Sequence, residues 1–207
     1  MFIRIKNIKK NKYAYLVNNK WTKKGTRQKV SKYLGRVYEF NKIEFKPYYD
    51  YIDNDNTFIN KLTTKELILS LIGWVLTSHG FSNKSDFTQK KLKEFMQKKA
   101  KKKKKIVKKI TNKNPLIDKM WFNGNFVVDL KKLDVLKGKK SVVLNINGDF
   151  MCKYTLRKLI KFKSNKDQEQ VALELAKVFI NAGIPLPEEI FVHIYQDVYN
   201  DGQSYIK

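Results

Sequence analysis

The sequence predicts an α+β fold: an N-terminal three-stranded antiparallel sheet, a helical middle with a lysine-rich arm, and a C-terminal β-hairpin with helices. Three observations support this prediction. Charged and apolar residues alternate near the N-terminus, which is the period of a half-buried strand. Residues 63–66, with the sequence TTKE, form a capping box before an apolar run of helical period. Asn147-Gly148 separates two apolar segments, which is typical of a tight hairpin turn.

The chain has 207 residues, and its hydrophobic content of 42% is enough for a packed core. We expect four segments: a basic β module at 1–45, a connector at 46–61, a helical segment with the lysine-rich arm at 62–114, and a C-terminal α+β domain at 115–207 that ends in an acidic helical pair. The sequence leaves open whether these segments share one core.

The first strand of the basic β module is predicted by strict alternation. Ile3 and Ile5 point to one side of this strand, and Arg4 and Lys6 point to the other. We therefore expect a sheet with one face on the core and a basic face outside.

Two further runs, Tyr13–Val17 and Lys29–Phe40, follow the first strand and are joined by a polar segment around Gly25. This order predicts an antiparallel meander. The beginning of the third run, Lys29–Leu34, is also compatible with the start of a helix.

Charge is distributed unevenly along the chain. The formal net charge is +25, which costs stability through self-repulsion unless an anionic partner neutralises it. The first 38 residues contain twelve Lys/Arg and no acid, and residues 90–113 contain thirteen lysines and one acid. Residues 164–201 have the opposite sign, with seven acids and two lysines. Nucleic acid is the usual partner of such a chain, ahead of an anionic membrane surface, and we expect no membrane association.

Two motifs of the opening stretch carry a resemblance to a known family. They are YAYLV at Tyr13–Val17 and RQKVSKYLGRVY at Arg27–Tyr38, and together they cover less than a fifth of the chain. Residues 1–40 resemble the N-terminal basic β module of insertion-sequence transposases of the Asp-Asp-Glu class, and they are similar to small archaeal proteins with the same opening. The resemblance implies a module that faces nucleic acid. It implies no catalytic carboxylate here, because that family's catalytic domain is longer than the remaining residues.

Cations and aromatic rings are the side chains that contact phosphates and stack on bases. The candidates for stacking on exposed bases are Trp21, Tyr13, Tyr15 and Tyr33, and such stacking favours RNA loops or single strands as the target. Trp21 lies in the polar segment and is the better candidate, whereas we expect Tyr13 and Tyr15 to pack within the sheet. The predicted nucleic-acid-binding residues are Arg4, Lys6, Trp21, Lys23, Lys24, Arg27, Lys29, Arg36, Lys101, Lys102, Lys103, Lys104 and Lys105.

The lysine tract Lys101–Lys105 follows a helix that is predicted to begin near Ser85 or Asp86. The tract has no apolar face of its own, so two interpretations stay open. It is either a solvated linker or an arm that follows a phosphate backbone, and both hold if the arm becomes ordered on its partner.

The C-terminal part predicts three helices. A short one covers Thr155–Phe162, and Ser164 with Asp167 resembles a capping box for the next one, which Gly183 ends. A final helix begins at Pro187, which suits the first helical position.

The last two of these helices are too acidic for a DNA-recognition helix. We therefore interpret residues 164–201 as a packing unit or as a surface for a protein partner.

Cys152 is the single cysteine, so no internal disulfide forms, and with His79 and His193 it cannot complete a zinc site. We expect a buried structural thiol at Cys152, a cap-like and cationic His79 at a helix end, no cofactor, and a cytoplasmic location. The longest apolar run, Leu67–Leu76, has about half of the ~20 residues that a membrane span needs.

The leading functional prediction is a non-enzymatic nucleic-acid-binding protein that grips the phosphate backbone, with DNA slightly ahead. The alternatives are an RNA- or ribosome-associated protein, or an adaptor that links nucleic acid to a protein. A metal-dependent nuclease is less favoured, because it needs carboxylates that converge and no motif indicates this. Its candidate ligands are Asp50, Asp53, Asp55, Asp129 and Asp149.

Overall fold

A computed structural model describes residues 1–42, 46–52, 59, 62–83, 118–164 and 166–203. The described residues form two five-stranded sheets and several helices, so the predicted α+β class is confirmed. The first sheet has the order β1-β2-β3-β9-β10. Its strands are β1 (Phe2–Ile8), β2 (Asn11–Thr22), β3 (Gly25–Glu39), β9 (Val143–Ile146) and β10 (Asp149–Met151).

The second sheet has the order β4-β5-β6-β7-β8 and is antiparallel throughout. Its strands are β4 (Ser82–Asn83), β5 (Lys119–Phe122), β6 (Phe126–Asp129), β7 (Asp134–Lys137) and β8 (Lys140–Ser141). Asn123-Gly124 joins β5 to β6 in a hairpin turn, with positive φ at both residues.

The three predicted N-terminal strands are confirmed as an antiparallel meander. The third run is a strand throughout and not a helix, and it begins at Gly25, ahead of the predicted Lys29. Its far end pairs in parallel with β9, with Val37 opposite Val143. The N-terminal meander and the Asn147-Gly148 hairpin therefore belong to one sheet.

The helices are α1 (Tyr48–Tyr51), α2 (Thr64–Ser78), α3 (Lys153–Ile160), α4 (Gln168–Asn181) and α5 (Glu188–Gln203). The capping box at Thr63 is present in full, because Thr63 accepts from the Glu66 amide and Glu66 accepts from the Thr63 amide. In the described residues, no helix has the length and apolar character needed to cross a membrane.

Three helix starts differ from the prediction. α5 begins at Glu188, one residue after the predicted Pro187. α3 begins at Lys153, ahead of the predicted Thr155, because Thr155 Oγ1 accepts a hydrogen bond from the Cys152 amide and so belongs to the first turn. α4 is capped by Asp167, whose carboxylate accepts from the Gln170 amide, and the predicted cap Ser164 instead donates to Glu174.

Buried side chains form two clusters. The larger one joins α2, α4, α5 and both sheets around residues such as Leu71, Leu144 and Phe179. The smaller one lies on the inner face of the meander and includes Ala14 and Cys152. Burial raises the pKa of the Cys152 thiol, which agrees with the predicted structural role.

His79 follows α2 and is 2% exposed. Its Nδ1 lies 2.8 Å from the Val75 carbonyl oxygen, and because a carbonyl only accepts, the ring nitrogen donates. Burial, assisted by the nearby Lys42 charge, lowers the pKa of His79. The position at the helix end is as predicted, but the cationic form is disfavoured, because desolvation outweighs the hydrogen bond to the Val75 carbonyl, which favours the cation.

Acidification is expected to destabilise the fold through His79. A folded-state pKa below the unfolded value means that the unfolded chain binds more protons, so stability is lost as pH falls below about 6.5. Denaturant unfolding at about pH 7.5 and about pH 5 should give a larger pH dependence for the native chain than for His79→Gln. His193→Gln serves as the control for the loss of one histidine. Equal pH dependence in all three proteins would contradict the assignment.

Candidate nucleic-acid interface

The outer face of the meander carries cations and tyrosines in register. Arg4 lies opposite Tyr15 and Lys6 lies opposite Tyr13 on the neighbouring strand, so all four side chains point to the same side. β3 adds Tyr33 and Arg36 to that side, opposite Tyr15 and Tyr13. The basic face is defined by Arg4, Lys6, Tyr13, Tyr15, Tyr33 and Arg36. The inner side of the same strands packs on the smaller core cluster through residues such as Ile3 and Ile5.

Tyr33 is the central ring of the basic face. It lies 5.3 Å from the Tyr15 ring and 6.3 Å from the Tyr13 ring, in tilted arrangements. Tyr13 and Tyr15 are half-buried, whereas Tyr33 is 52% exposed. Burial, followed by its neighbouring tyrosines, raises the pKa of Tyr33, so the phenol stays neutral at physiological pH.

The cations of the basic face are held by neutral groups. Arg4 donates a hydrogen bond to the Gln28 side chain, and the Lys6 ammonium lies 5.2 Å from the centre of the Tyr15 ring. Across the described part of the chain, no ion pair involves Arg4, Lys6 or Arg36. Their charge is therefore available to an external anion.

β2 and β3 continue beyond the end of β1 as a two-stranded extension. This hairpin arm comprises Asn18–Lys29 and is paired from Asn18 with Lys29 to Thr22 with Gly25. It contains five cations and no acid. These cations are Lys20, Lys23, Lys24, Arg27 and Lys29.

The hairpin arm corrects the prediction of a polar loop. Residues up to Thr22 belong to β2, and the turn is made by Lys23 and Lys24, which the Thr22 hydroxyl closes by donating to the Gly25 carbonyl at 2.7 Å. The strands show no apolar period here because most of their side chains are exposed on both faces. Trp21 is thus a strand residue near the tip of the arm, and it is 80% exposed.

Strand alternation divides the predicted binding residues between two sides. Arg4, Lys6 and Arg36 lie together on the basic face, and Trp21 lies on the same side of β2. Arg27 and Lys29 point to the opposite side of the hairpin arm. Lys23 and Lys24 lie at its tip.

A groove separates the basic face from the second sheet. Its volume is about 570 Å³, and it lies where β3 passes β8. This seam groove is defined by Tyr13, Tyr33, Arg36, Tyr38, Lys137 and Lys140. The two sheets approach closely because β3 has a glycine at the crossing: a Cβ atom on Gly35 would lie 2.7 Å from the Ser141 carbonyl oxygen.

The seam groove contains two cations that were not predicted, Lys137 and Lys140. Lys137 lies 4.3 Å from the centre of the Tyr38 ring, which Arg36 approaches at 5.0 Å. A signal for them exists in the sequence, because LKGKKS at 136–141 is a basic turn with glycine between short runs.

The two carboxylates Asp134 and Glu39, near the seam groove, each pair with a lysine. Asp134 accepts from the groove residue Ser141 and pairs with Lys153 at 2.5 Å. Glu39 pairs with Lys12 at 2.5 Å. The groove itself is lined by no acid.

Two of the carboxylates considered for a nuclease, Asp129 and Asp149, lie in different sheets. Asp129 is buried, lies 3.5 Å from the Lys119 ammonium and accepts from the Lys132 amide, whereas Asp149 lines a separate small cavity. Among the residues that the structure describes, no three His, Cys, Asp or Glu side chains form a group suited to a metal ion.

Several predicted residues lie outside the described ranges. They are Lys101, Lys102, Lys103, Lys104 and Lys105 of the lysine tract, the helix expected near Ser85 or Asp86, and Asp53 and Asp55 of the connector.

Comparison with protein-family models, with curated proteins and with solved structures gave no match for this chain. The resemblance of residues 1–40 to transposase modules stays a prediction. We therefore infer the chemistry of this surface from its own residues.

Proposed function

We propose that this protein binds nucleic acid without cleaving it and contacts the phosphate backbone through the basic face. One observation supports this proposal above the others: Arg4, Lys6 and Arg36 converge on one side of a sheet without an acidic partner among the described residues. A solvated surface of ordinary composition would intersperse acids with these cations.

Tyrosine rings next to the cations of the basic face strengthen the proposal. If the positive charge served only to repel other proteins, aromatic rings beneath the cations would bring no advantage. Here the Lys6 and Arg36 charges lie over Tyr15 and Tyr38, at 5.2 and 5.0 Å from the ring centres. Such contacts restrict long side chains before a ligand arrives, which reduces the entropy lost on binding.

The hairpin arm supplies further positive charge next to the basic face. Its five cations extend the surface that a polyanion meets. Most of them are lysines, which contact phosphates as point charges and carry no sequence information. We therefore propose binding with little base specificity.

We place DNA slightly ahead of RNA, because the opening residues resemble the basic module of DNA-acting transposases. An RNA- or ribosome-associated protein is the second candidate. Nucleic acid that co-purifies with the chain distinguishes the two: loss of the bound material on DNase treatment supports DNA, and loss on RNase treatment supports RNA.

A protein partner at residues 164–201 also stays a proposal. The observation that favours it is the exposure of Leu173, Ile180 and Val192 on the surfaces of α4 and α5. An adaptor would bind nucleic acid on the basic face and a protein on these helices.

A salt series tests the proposed function. If three phosphates are neutralised by the basic face, the slope of log affinity against log salt is at least about 2 to 3 in magnitude. Affinity should then fall about 20- to 40-fold between ~50 and ~200 mM salt, measured by fluorescence anisotropy with labelled DNA. Absence of binding at low salt, or binding that salt does not affect, would disprove the proposal.

A further inference from the structure

The seam groove has a composition that differs from a simple phosphate-binding surface. It combines the exposed ring of Tyr33 with Arg36, Lys137 and Lys140, and no acid lines it. Its volume of about 570 Å³ lies within the range of ligand pockets, roughly 300–1,000 Å³. A phosphate alone would need the cations but would leave the ring without a role.

The ring of Tyr33 is placed to receive a planar group. Its neighbours Tyr13 and Tyr15 meet it at interplanar angles of 42° and 51°, so neither ring stacks on it. Half of its surface is open to the groove side and to solvent. A nucleobase stacks on such a ring whatever its identity, because every base has a π-face.

The cations of the groove line the same cavity as the Tyr33 ring. Arg36 and Lys137 approach Tyr38 from within the groove, with Lys137 also 4.8 Å from the centre of the Phe126 ring. These contacts hold both charges at the groove wall. A nucleotide that stacks on Tyr33 would present its phosphate to them.

We propose that the seam groove binds one unpaired nucleotide of a single-stranded nucleic acid, with its base stacked on Tyr33 and its phosphate held by Arg36 and Lys137. This inference rests on the proposed function and adds the class of substrate. A duplex does not supply the same contact, because its bases are stacked on one another and their faces are closed to a side chain. Single strands, loops and frayed ends supply it.

The first test uses the native chain and requires no mutation. Binding is compared for a labelled thymidine strand, a strand of equal length with abasic sites, the corresponding duplex, and free thymidine monophosphate. We expect the thymidine strand to bind about 5- to 100-fold more tightly than the abasic strand. Equal affinity of these two strands would overturn the inference and leave phosphate binding intact. Absence of binding by every polyanion would overturn the proposed function as well.

Competition by free thymidine monophosphate distinguishes a nucleic-acid strand from a free nucleotide as the ligand of the groove. If the groove serves a polymer, the monophosphate competes only weakly, because it lacks the neighbouring phosphates that contact the basic face. Monophosphate binding as tight as that of the strand would overturn the assignment to single strands and indicate a nucleotide pocket.

The second test changes the ring. Tyr33→Ala is expected to remove the preference for the thymidine strand over the abasic strand, whereas Tyr33→Phe keeps it, because stacking needs the ring and not the hydroxyl. Tyr199→Ala, a tyrosine of α5, is the matched control and should keep the preference. Heparin, a polyanion without bases, should bind Tyr33→Ala and Tyr33→Phe equally. Circular dichroism spectra that match the native spectrum show that the variants fold. A Tyr33→Ala protein that keeps the preference would overturn the role of this ring.

Discussion

Replacing Arg4, Lys6 and Arg36 together by glutamine is expected to weaken DNA binding by about 100-fold at ~150 mM salt. Each phosphate contact on a duplex contributes about 0.9 to the salt slope, which corresponds to roughly 0.7 log units of affinity at this salt concentration. Three contacts then account for about 2 log units. The salt slope itself should fall by about 2 to 3.

The matched control removes the same charge from another surface. Three exposed lysines serve for this control: Lys158 on α3, Lys161 just after α3, and Lys177 on α4. α3 begins beside the inner side of the first sheet. Replacement of the three lysines by glutamine lowers the net charge equally but should change affinity by less than about threefold, because these residues lie outside the basic face. Equal weakening by both triple variants would show that net charge acts without a defined interface. Anisotropy titrations across a salt series measure both effects.

Gly183→Ala is expected to destabilise the fold by about 2–5 kcal/mol. Gly183 follows α4 with φ of +71°, a conformation that costs an alanine about 1–2 kcal/mol. A Cβ atom would also lie 2.4 Å from the Ile146 carbonyl oxygen, so backbone must move. The Gly183 carbonyl accepts from the Asn147 side chain at 2.9 Å, and that movement would strain the Asn147-Gly148 turn too.

Gly148→Ala isolates the conformational part of this cost. Gly148 also has positive φ, +86°, but a Cβ atom there would meet nothing within 4 Å. We expect about 1–2 kcal/mol for this variant, and a larger loss for Gly183→Ala. Thermal unfolding should show a fall of about 5–20 °C for Gly183→Ala. Similar losses for both variants would show that the contact with Ile146 is relieved at little cost.

The elements with local signals were predictable. The alternation of Ile3, Arg4, Ile5 and Lys6 correctly gave the direction of four side chains, because a covered strand imposes a period of two. The capping box at Thr63 and the turn at Asn147-Gly148 likewise depend on residues a few positions apart.

The hairpin arm was not predictable from periodicity. Residues 18–29 are strand on both sides of their turn, yet most of their side chains are exposed. Without a buried face there is no apolar alternation to read, and the polar composition resembles a loop. These strands pair because they continue the part of β2 and β3 that packs on the core.

The seam groove was not predictable because it joins distant parts of the chain. Tyr33 and Arg36 belong to β3, whereas Lys137 and Lys140 lie about 100 residues later in the second sheet. Their meeting depends on the parallel pairing of β3 with β9, for which no local pattern exists. Gly35 permits the approach but is one of nine glycines in the chain, so its role shows only in the structure.

The parallel pairing of β3 with β9 also has a consequence for synthesis on the ribosome. The three N-terminal strands contact one another locally and can form soon after they emerge, but β3 then has an open edge until β9 follows about 100 residues later. An exposed strand edge invites pairing with other chains, and Lys32 and Arg36 on β3 place charge along it. The positive charge of β3 is therefore expected to disfavour pairing of this edge with other chains until β9 covers it.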